Sequence, residues 1–240
     1  MDIPIDMQNQ AMGYDRTATM FSPEGHLLQV EYAEKTVRLG SSSIGMVCSN
    51  GIFILADKRI NDKLIVKESS LRIYEIDSNI IASVAGIGAD ARVLIDKAQI
   101  IAQQNRVAYD SQIEPELLIK ELSNIKQQFT QYGGARPFGV SLMIAGINNG
   151  KKELFTSDVT GNYFSYYANA IGENDEKIKE KLREKYKTNL TVKAGVNLAL
   201  EIYKEILGDK YTLERFELAY IPQDSIKVHR LQGEKIKELK

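Results

Sequence analysis

The sequence is poor in the residues that build redox, metal and nucleic-acid sites. It has one cysteine, two histidines and no tryptophan among its 240 residues. The single thiol, Cys48, cannot form a disulfide within the chain, which favours a reducing compartment. One cysteine and two separated histidines also cannot supply the four ligands of a structural zinc site. Lysine and arginine total 31 against 32 acidic residues, so the basic excess typical of nucleic-acid binding is missing as well.

Long apolar runs are also missing. None approaches the length that a membrane-spanning helix needs, and residues 1–16 lack the apolar core of a signal peptide. These absences predict a soluble, cytoplasmic protein. Hydrophobic residues make up 43% of the chain, and no repeat or Pro/Gly-rich linker divides it. We therefore expect one domain over 14–240, preceded by a tail at 1–13 whose lack of apolar period predicts flexibility.

Apolar periodicity predicts helices and strands in separate groups. A first helix is expected at about 24–39, with its apolar period from residue 26 onward and Gly40 as its stop. The other predicted helices cover 90–108, 115–129, 174–186 and 191–207. Runs rich in β-branched residues predict strands at 43–49, 52–58, 71–76, 80–85, 140–147, 153–157, 163–166, 168–171, 214–221 and 225–230. Asn50-Gly51 is the strongest hairpin signal, and a short charged helix or frayed tail is expected at 233–240.

The strands come in consecutive groups rather than alternating singly with helices. This order favours an α+β fold with antiparallel sheets and segregated helices. Helices on both outer sides would give a four-layer αββα sandwich, with a sandwich core over about 41–232.

No catalytic, metal or cofactor motif stands out. His26 and His229 lie far apart in the sequence and are expected to be surface or interface residues. Gly86-Ile87-Gly88 lacks the rest of a dinucleotide fingerprint, and no phosphate-binding loop is present. Cys48, inside an apolar strand, is expected to be an inert buried thiol. We therefore expect neither a bound metal nor a cofactor.

One long motif resembles a known family. Tyr14-Asp15-Arg16, followed by residues 21–33 (FSPEGHLLQVEYA), closely resembles the N-terminal signature of proteasome α subunits. Similarity continues at 56–59 (ADKR), 85–92 (AGIGADAR), 131–141 (QYGGARPFGVS) and 170–172, and so covers nearly the whole chain. The resemblance is to the archaeal form, in which one α type fills the ring, and it implies the N-terminal-nucleophile hydrolase fold.

The same resemblance implies a subunit without catalytic activity. In the related β subunits, the catalytic threonine is freed at the N-terminus and its own amino group serves as the base. Here that place falls near 41–43, behind some forty residues of chain. Asp57 matches the position of a catalytic-site acid, and Arg72 replaces the β-subunit lysine with a group that stays protonated. An alternative is a hydrolase that processes itself to a terminal serine, and another is a free-standing binding module.

The family's functional sites map onto three groups of residues. Residues 1–13 would form the gate, and the cluster that holds it open would be Tyr14, Asp15, Arg16, Pro23 and Tyr32. The pocket for the C-terminal tails of activator ATPases would be Gly40, Arg72, Ile87 and Glu31. The annulus that narrows the entry channel would be Tyr132, Gly133, Gly134, Ala135 and Arg136.

The resemblance also implies the partners. These are neighbouring α subunits in a seven-membered ring, proteasome β subunits that carry out catalysis, an activating ATPase, and unfolded polypeptide in transit. Neither a nucleic acid nor a membrane is expected.

Overall fold

Two antiparallel five-stranded sheets form the centre of the molecule. The computed structural model describes residues 5–59 and 64–239. Its strands are β1 Ser43–Cys48, β2 Gly51–Asp57, β3 Ile73–Asp77, β4 Ile80–Gly86, β5 Val140–Asn148, β6 Lys151–Ser157, β7 Tyr163–Tyr166, β8 Ala168–Ile171, β9 Phe216–Pro222 and β10 His229–Gln232. The first sheet, sheet A, has the order β10-β9-β2-β1-β8, and sheet B has the order β3-β4-β5-β6-β7.

Helices cover the outer face of each sheet. The described helices are α1 Ile5–Met12, α2 Leu28–Leu39, α3 Gly88–Tyr109, α4 Pro115–Phe129, α5 Asp175–Lys185 and α6 Val192–Leu207. The buried side chains of α5 and α6 pack on sheet A, and those of α3 and α4 pack on sheet B. A third apolar cluster fills the space between the sheets. This arrangement confirms the predicted four-layer αββα sandwich.

Strand β2 illustrates why short apolar runs become central strands in this fold. All seven of its residues are buried. Ile52 and Ile54 face sheet B, whereas Phe53 and Leu55 face α6, because successive side chains of a strand point to opposite faces. A strand covered on both faces needs apolar residues throughout.

Two hairpin turns differ in their chemistry. Asn149 and Gly150 connect β5 to β6 with φ of 49° and 77°, as a type I′ turn requires. The predicted Asn50-Gly51 turn is present but shifted by one residue, since Gly51 already pairs with Cys48. A Cβ on Gly51 would lie 2.6 Å from the Ile221 carbonyl oxygen, so a close strand approach, rather than the turn, requires this glycine.

Helix predictions near the N-terminus need correction. The first long helix begins at Leu28, because residues 22–26 form a turn in which the Gly25 N–H donates to the Ser22 carbonyl at 2.9 Å. Residues 5–12 form helix α1, where an irregular tail was expected. Asn9 explains part of this difference, since its side chain is buried and donates to Glu24 Oε2 at 3.4 Å. Whether the segment moves as a gate stays a prediction, and residues 1–4 lie outside the described residues.

The last predicted strand is also displaced. It covers 229–232 rather than 225–230, since Ile226 has φ 44° and its N–H donates to the Pro222 carbonyl at 3.1 Å. A turn therefore occupies the start of the predicted run. Residues 233–238 form a short 3₁₀ helix. Among the described helices, none combines the length and apolarity that crossing a bilayer would demand.

Candidate functional site

The place expected for a nucleophile contains two serines that bind each other. Ser43 opens β1 and Ser83 lies on β4, and both side chains point into the space between the sheets. Their hydroxyl oxygens are 2.7 Å apart, and Ser83 Oγ donates to the Arg72 carbonyl at 3.0 Å. Both serines are almost wholly buried. The amide nitrogen of Ser43 is part of a continuous chain that reaches back to α2, so it is no free amine.

Asp57, the counterpart of a catalytic-site acid, is fully engaged in structural contacts. Its side chain is 1% exposed and pairs with the Arg215 guanidinium, with Nη2–Oδ2 at 2.5 Å and Nε–Oδ1 at 3.1 Å. The backbone N–H of Arg59 donates to Asp57 Oδ1 at 3.1 Å. A bidentate arginine pair of this kind is a strong, geometrically specific contact, and here it ties the end of β2 to the turn before β9.

Arg72 lies immediately before β3, and its backbone is held from both sheets. Its N–H donates to Glu217 Oε2 at 3.0 Å, and its carbonyl accepts the bond from Ser83. Glu217, on β9, is 0% exposed and pairs with Arg230 Nη1 at 3.2 Å. Burial raises the pKa of Glu217, although the backbone amide of Arg72 and the Arg230 charge act in the opposite direction.

Gly40 and Ile87 meet where α2 ends. A Cβ on Gly40 would lie 2.2 Å from the Gly86 amide nitrogen, so only glycine allows α2 to end there. The Ile87 N–H donates to the Gly139 carbonyl at 2.9 Å, and Thr36 Oγ1 donates to the same oxygen at 3.1 Å. These contacts fix the end of α2 against the junction of β4 and α3.

Of the four predicted pocket residues, Gly40 lies against Gly86, which precedes Ile87, and Arg72 is linked to the same strand through Ser83. Ser83, which binds Arg72, precedes Gly86 by three residues on β4, or about 10 Å of strand. Glu31 lies farther away: it pairs with His26, with Nδ1–Oε1 at 2.5 Å. Gly40 follows Glu31 by nine positions, which corresponds to about 14 Å along the helix.

The predicted gate cluster surrounds the start of α2. Tyr14, Asp15 and Arg16 form a 3₁₀ turn, and the Asp15 carbonyl accepts a hydrogen bond from Gln29 Nε2. Pro23 is exposed in the turn before α2, and Tyr32 is half-buried.

Two features of this cluster bear on the predicted gate. Asp15 Oδ1 is buried without a hydrogen-bond donor among the described residues. Lys35 Nζ lies 5.2 Å from the centre of the Tyr32 ring, within the range of a cation–π contact. The buried, unpaired oxygen of Asp15 is a place where a donor from outside the chain could bind.

The predicted annulus divides into an exposed tip and an anchor. Tyr132 is 60% exposed, and Gly133 and Gly134 are exposed with it. Arg136, in contrast, binds Asp90 with Nη1–Oδ2 at 2.6 Å and Nη2–Oδ1 at 2.7 Å. The Arg136 guanidinium holds the pKa of Asp90 below its usual value. The charge of Arg136 is therefore used to fasten the loop to the first turn of α3.

Sequence reasoning missed several charged residues that the structure makes prominent. Glu217 is an acid within the apolar strand FELAYIP, and Lys126 falls on the apolar side of α4. A charge at an apolar position was the available signal. Arg59 gave no comparable signal, although it caps α2 by donating from Nη1 to the Leu39 carbonyl at 3.0 Å and pairs with Glu173.

Comparisons with known proteins agree with this architecture. A family model described as "Proteasome subunit" matches residues 37–221. A second model, which describes the N-terminal signature of α-type proteasome subunits, matches residues 14–35. A proteasome α subunit of Methanococcus maripaludis is 42% identical, with 95% of this chain and 88% of that protein covered.

Two further relatives come from other archaea. The proteasome α subunit of Archaeoglobus fulgidus is 41% identical over 94% of this chain and 92% of its own length. That of Methanosarcina thermophila is 37% identical over 94% of this chain and 91% of its own length. The chain therefore belongs to the family of proteasome subunits and is an α-type member of it.

Proposed function

We propose that the chain is the non-catalytic α-ring subunit of a 20S proteasome, in which partner β subunits cut the substrate. The observation that carries this proposal is the position of α2. The matched α-type signature, 14–35, leads through this helix directly into β1. The serines at 41–43 therefore have their backbone nitrogens in peptide bonds, and the Ser43 side chain bonds to another hydroxyl rather than to a base. A working nucleophile would require both a free base and access to substrate.

Ring assembly is the first property to test. A head-to-tail ring repeats one interface until it closes, and seven copies are expected from the family. Electron microscopy of the purified chain, with and without a β partner, should show seven-membered rings. Particles that remain monomeric under both conditions would favour a free-standing module. We place the assembled particle in the cytoplasm.

Gating is assigned to the N-terminal segment and the cluster at the start of α2. Support comes from the contact of Asn9, on α1, with Glu24 in the turn before α2, and from the unpaired Asp15 oxygen. Deletion of residues 2–12 should raise peptide hydrolysis by the assembled particle in the absence of an ATPase. An unchanged basal rate would remove the segment from the gate.

Activator docking is assigned to Arg72 with Gly40 and Ile87. A guanidinium can bind a terminal carboxylate in a bidentate manner. Arg72→Ala should therefore weaken stimulation by the activating ATPase, whereas Arg183→Ala, an exposed arginine on α5, should leave it unchanged. Equal stimulation of both variants and the parent would remove Arg72 from the pocket. Glu31 is expected at the margin of this site, since its carboxylate already pairs with His26.

The exposed tip at 132–135 is proposed to narrow the entry channel. Gly133 and Gly134 have no other atoms within 4 Å of the position that a Cβ would occupy. The loop therefore has room to lie close to the axis of a ring. Such an opening would admit unfolded chain and exclude folded protein. Replacing Tyr132 with alanine should raise the entry rate of a loosely folded substrate such as casein. An unchanged rate would exclude this loop as the narrowest point.

A further inference from the structure

A fully buried carboxylate lies beside the residue assigned to activator docking. Glu217 is 0% exposed, as are its neighbours on β9, the apolar core residues Phe216 and Leu218. The alternation along β9 directs Glu217 between the sheets, with Ala219 and Ile221. A charged group in such a place is costly unless each of its oxygens is matched by a donor.

Both Glu217 oxygens have donors, one from each sheet of the sandwich. Oε2 accepts the Arg72 N–H at 3.0 Å, and Oε1 accepts from Arg230 Nη1 at 3.2 Å. Arg230 Nη1 also donates to the Ile73 carbonyl at 2.8 Å. The carboxylate and its arginine partner, both from sheet A, thus bind the entry of β3, which is the edge strand of sheet B.

The other side of Arg72 is bound as well. Ser83 Oγ donates to its carbonyl, and Ser43 Oγ lies 2.7 Å behind Ser83 Oγ. We call Glu217, Arg230 and Ser83 the Arg72 clamp. It fixes both backbone polar groups of one residue, while Arg72 Nε is buried without a partner among the described residues. The Nε proton of Arg72 is therefore unused among the described residues, and the starting point of its side chain is fixed.

We propose that Glu217 is the positioning residue for Arg72 in the recognition of a peptide that ends in a free carboxylate. This inference rests on the proposed docking function of Arg72. A fixed backbone lowers the entropy that is lost when a long side chain is held by a ligand. The Arg230 charge favours the charged form of Glu217, in opposition to burial, and Ser83 closes the clamp from the opposite sheet.

The test compares a carboxylate with an amide at the end of one probe. The probe is a short fluorescein-labelled peptide copied from the C-terminus of the cognate ATPase, made with either ending. Fluorescence anisotropy on assembled rings gives the affinity ratio between the two forms. Glu217→Gln should reduce the preference for the carboxylate by about tenfold, the effect of losing one charge-assisted hydrogen bond.

A matched control separates positioning from general stability. Glu153→Gln removes another buried glutamate, which is 7% exposed and pairs with Lys151 on β6. It should keep the parental ratio. In an Arg72→Ala background, Glu217→Gln should cause no further loss, because the clamp then has no cation to position. A purely structural role would lower binding of both probe forms equally and would add to the Arg72→Ala effect.

The outcomes distinguish the two proposals. If Arg72→Ala keeps the parental ratio, the docking function itself is wrong. If Arg72→Ala loses the preference but Glu217→Gln keeps it, Arg72 docks the peptide and the clamp does not position it. Where Glu217→Gln prevents ring assembly, Ser83→Ala and Arg230→Lys decide, since both leave the carboxylate in place. Parental ratios in both of these variants would overturn the inference.

Discussion

Replacing the buried lysine of α4 should change how stability depends on pH. Lys126 is 0% exposed, and its ammonium nitrogen lies 2.8 Å from Ser157 Oγ and 3.4 Å from the Ser157 carbonyl. Burial lowers its pKa from 10.5 to about 7, against the weaker opposing effect of Asp158. Lys126→Met keeps the length and apolar volume of the side chain while removing the charge.

The magnitude follows from the difference in pKa between the folded and unfolded states. A lysine near 10.5 when unfolded and about 7 when folded binds more protons in the unfolded state throughout that window. The unfolding free energy of the parent should therefore rise with pH from about 7 to about 10, by at most about 1.4 kcal/mol per pH unit. Below the folded pKa the full penalty applies, at an upper limit of about 5 kcal/mol.

The expected result is a difference that shrinks as pH rises. Lys126→Met should be more stable than the parent by about 3 kcal/mol near pH 7, after allowing about 1 kcal/mol for the lost hydrogen bonding. The gap should close near pH 10. Urea midpoints measured at one fixed ring concentration provide the comparison, because assembly contributes to apparent stability.

A second methionine variant serves as the control. Lys120 is exposed on the same helix, so Lys120→Met should leave the pH dependence of the parent unchanged. If Lys126→Met and the parent keep parallel midpoints across the whole range, Lys126 does not change its protonation on unfolding. The lowered pKa of Lys126 in the folded state would then be refuted.

Three further substitutions test other contacts. Asp57→Asn should lower the unfolding free energy by about 3 kcal/mol, since it leaves the partly buried Arg215 without its charged partner; urea denaturation measures this, and a loss below about 1 kcal/mol would refute it. Gly86→Ala should prevent ring assembly, because a Cβ there would lie 2.0 Å from the Gly139 carbonyl at φ 124°, whereas Gly88→Ala, in open space, should assemble normally on a sizing column. Arg136→Ala should expose the loop at 131–137 to limited proteolysis, and an unchanged cleavage rate would show that the Asp90 pair does not anchor it.

The layers of the fold could be predicted because each type of element has its own apolar pattern. Buried strands such as β2 are continuous apolar runs, and helices such as α6 show a regular apolar face. The order of strands within the sheets was not predictable in this way. Strand β9 pairs with β2 across most of the chain, and no local pattern in either strand specifies that partner.

Boundaries failed where side chains or turns compete with backbone pairing. The start of β3 at Ile73 follows from the clamp on Arg72, whose partner Glu217 is 145 residues away. The late start of β10 follows from the turn at Ile226. The first contact depends on the tertiary fold, and the second replaces strand pairing with a local turn, so apolar periodicity predicts neither.

The candidate sites could be located through family resemblance, but their contacts could not. The motif at 131–141 indicated the loop, yet the use of Arg136 as an anchor depends on Asp90, which lies 46 residues earlier. His26 was expected to be a surface histidine without an acidic partner motif, and the structure pairs it with Glu31. Glu31 was assigned to the pocket by resemblance, although that pairing places it toward the opposite end of α2.

The central claim is that this chain controls substrate entry and binds an activator but does not cut peptide bonds. Fluorogenic peptide hydrolysis by rings of the purified chain alone, compared with rings joined by a β partner, tests it most directly. We predict no hydrolysis above background from the chain alone and activity once the β partner is present. Sustained turnover by the chain alone, abolished by Ser41→Ala, would contradict the claim.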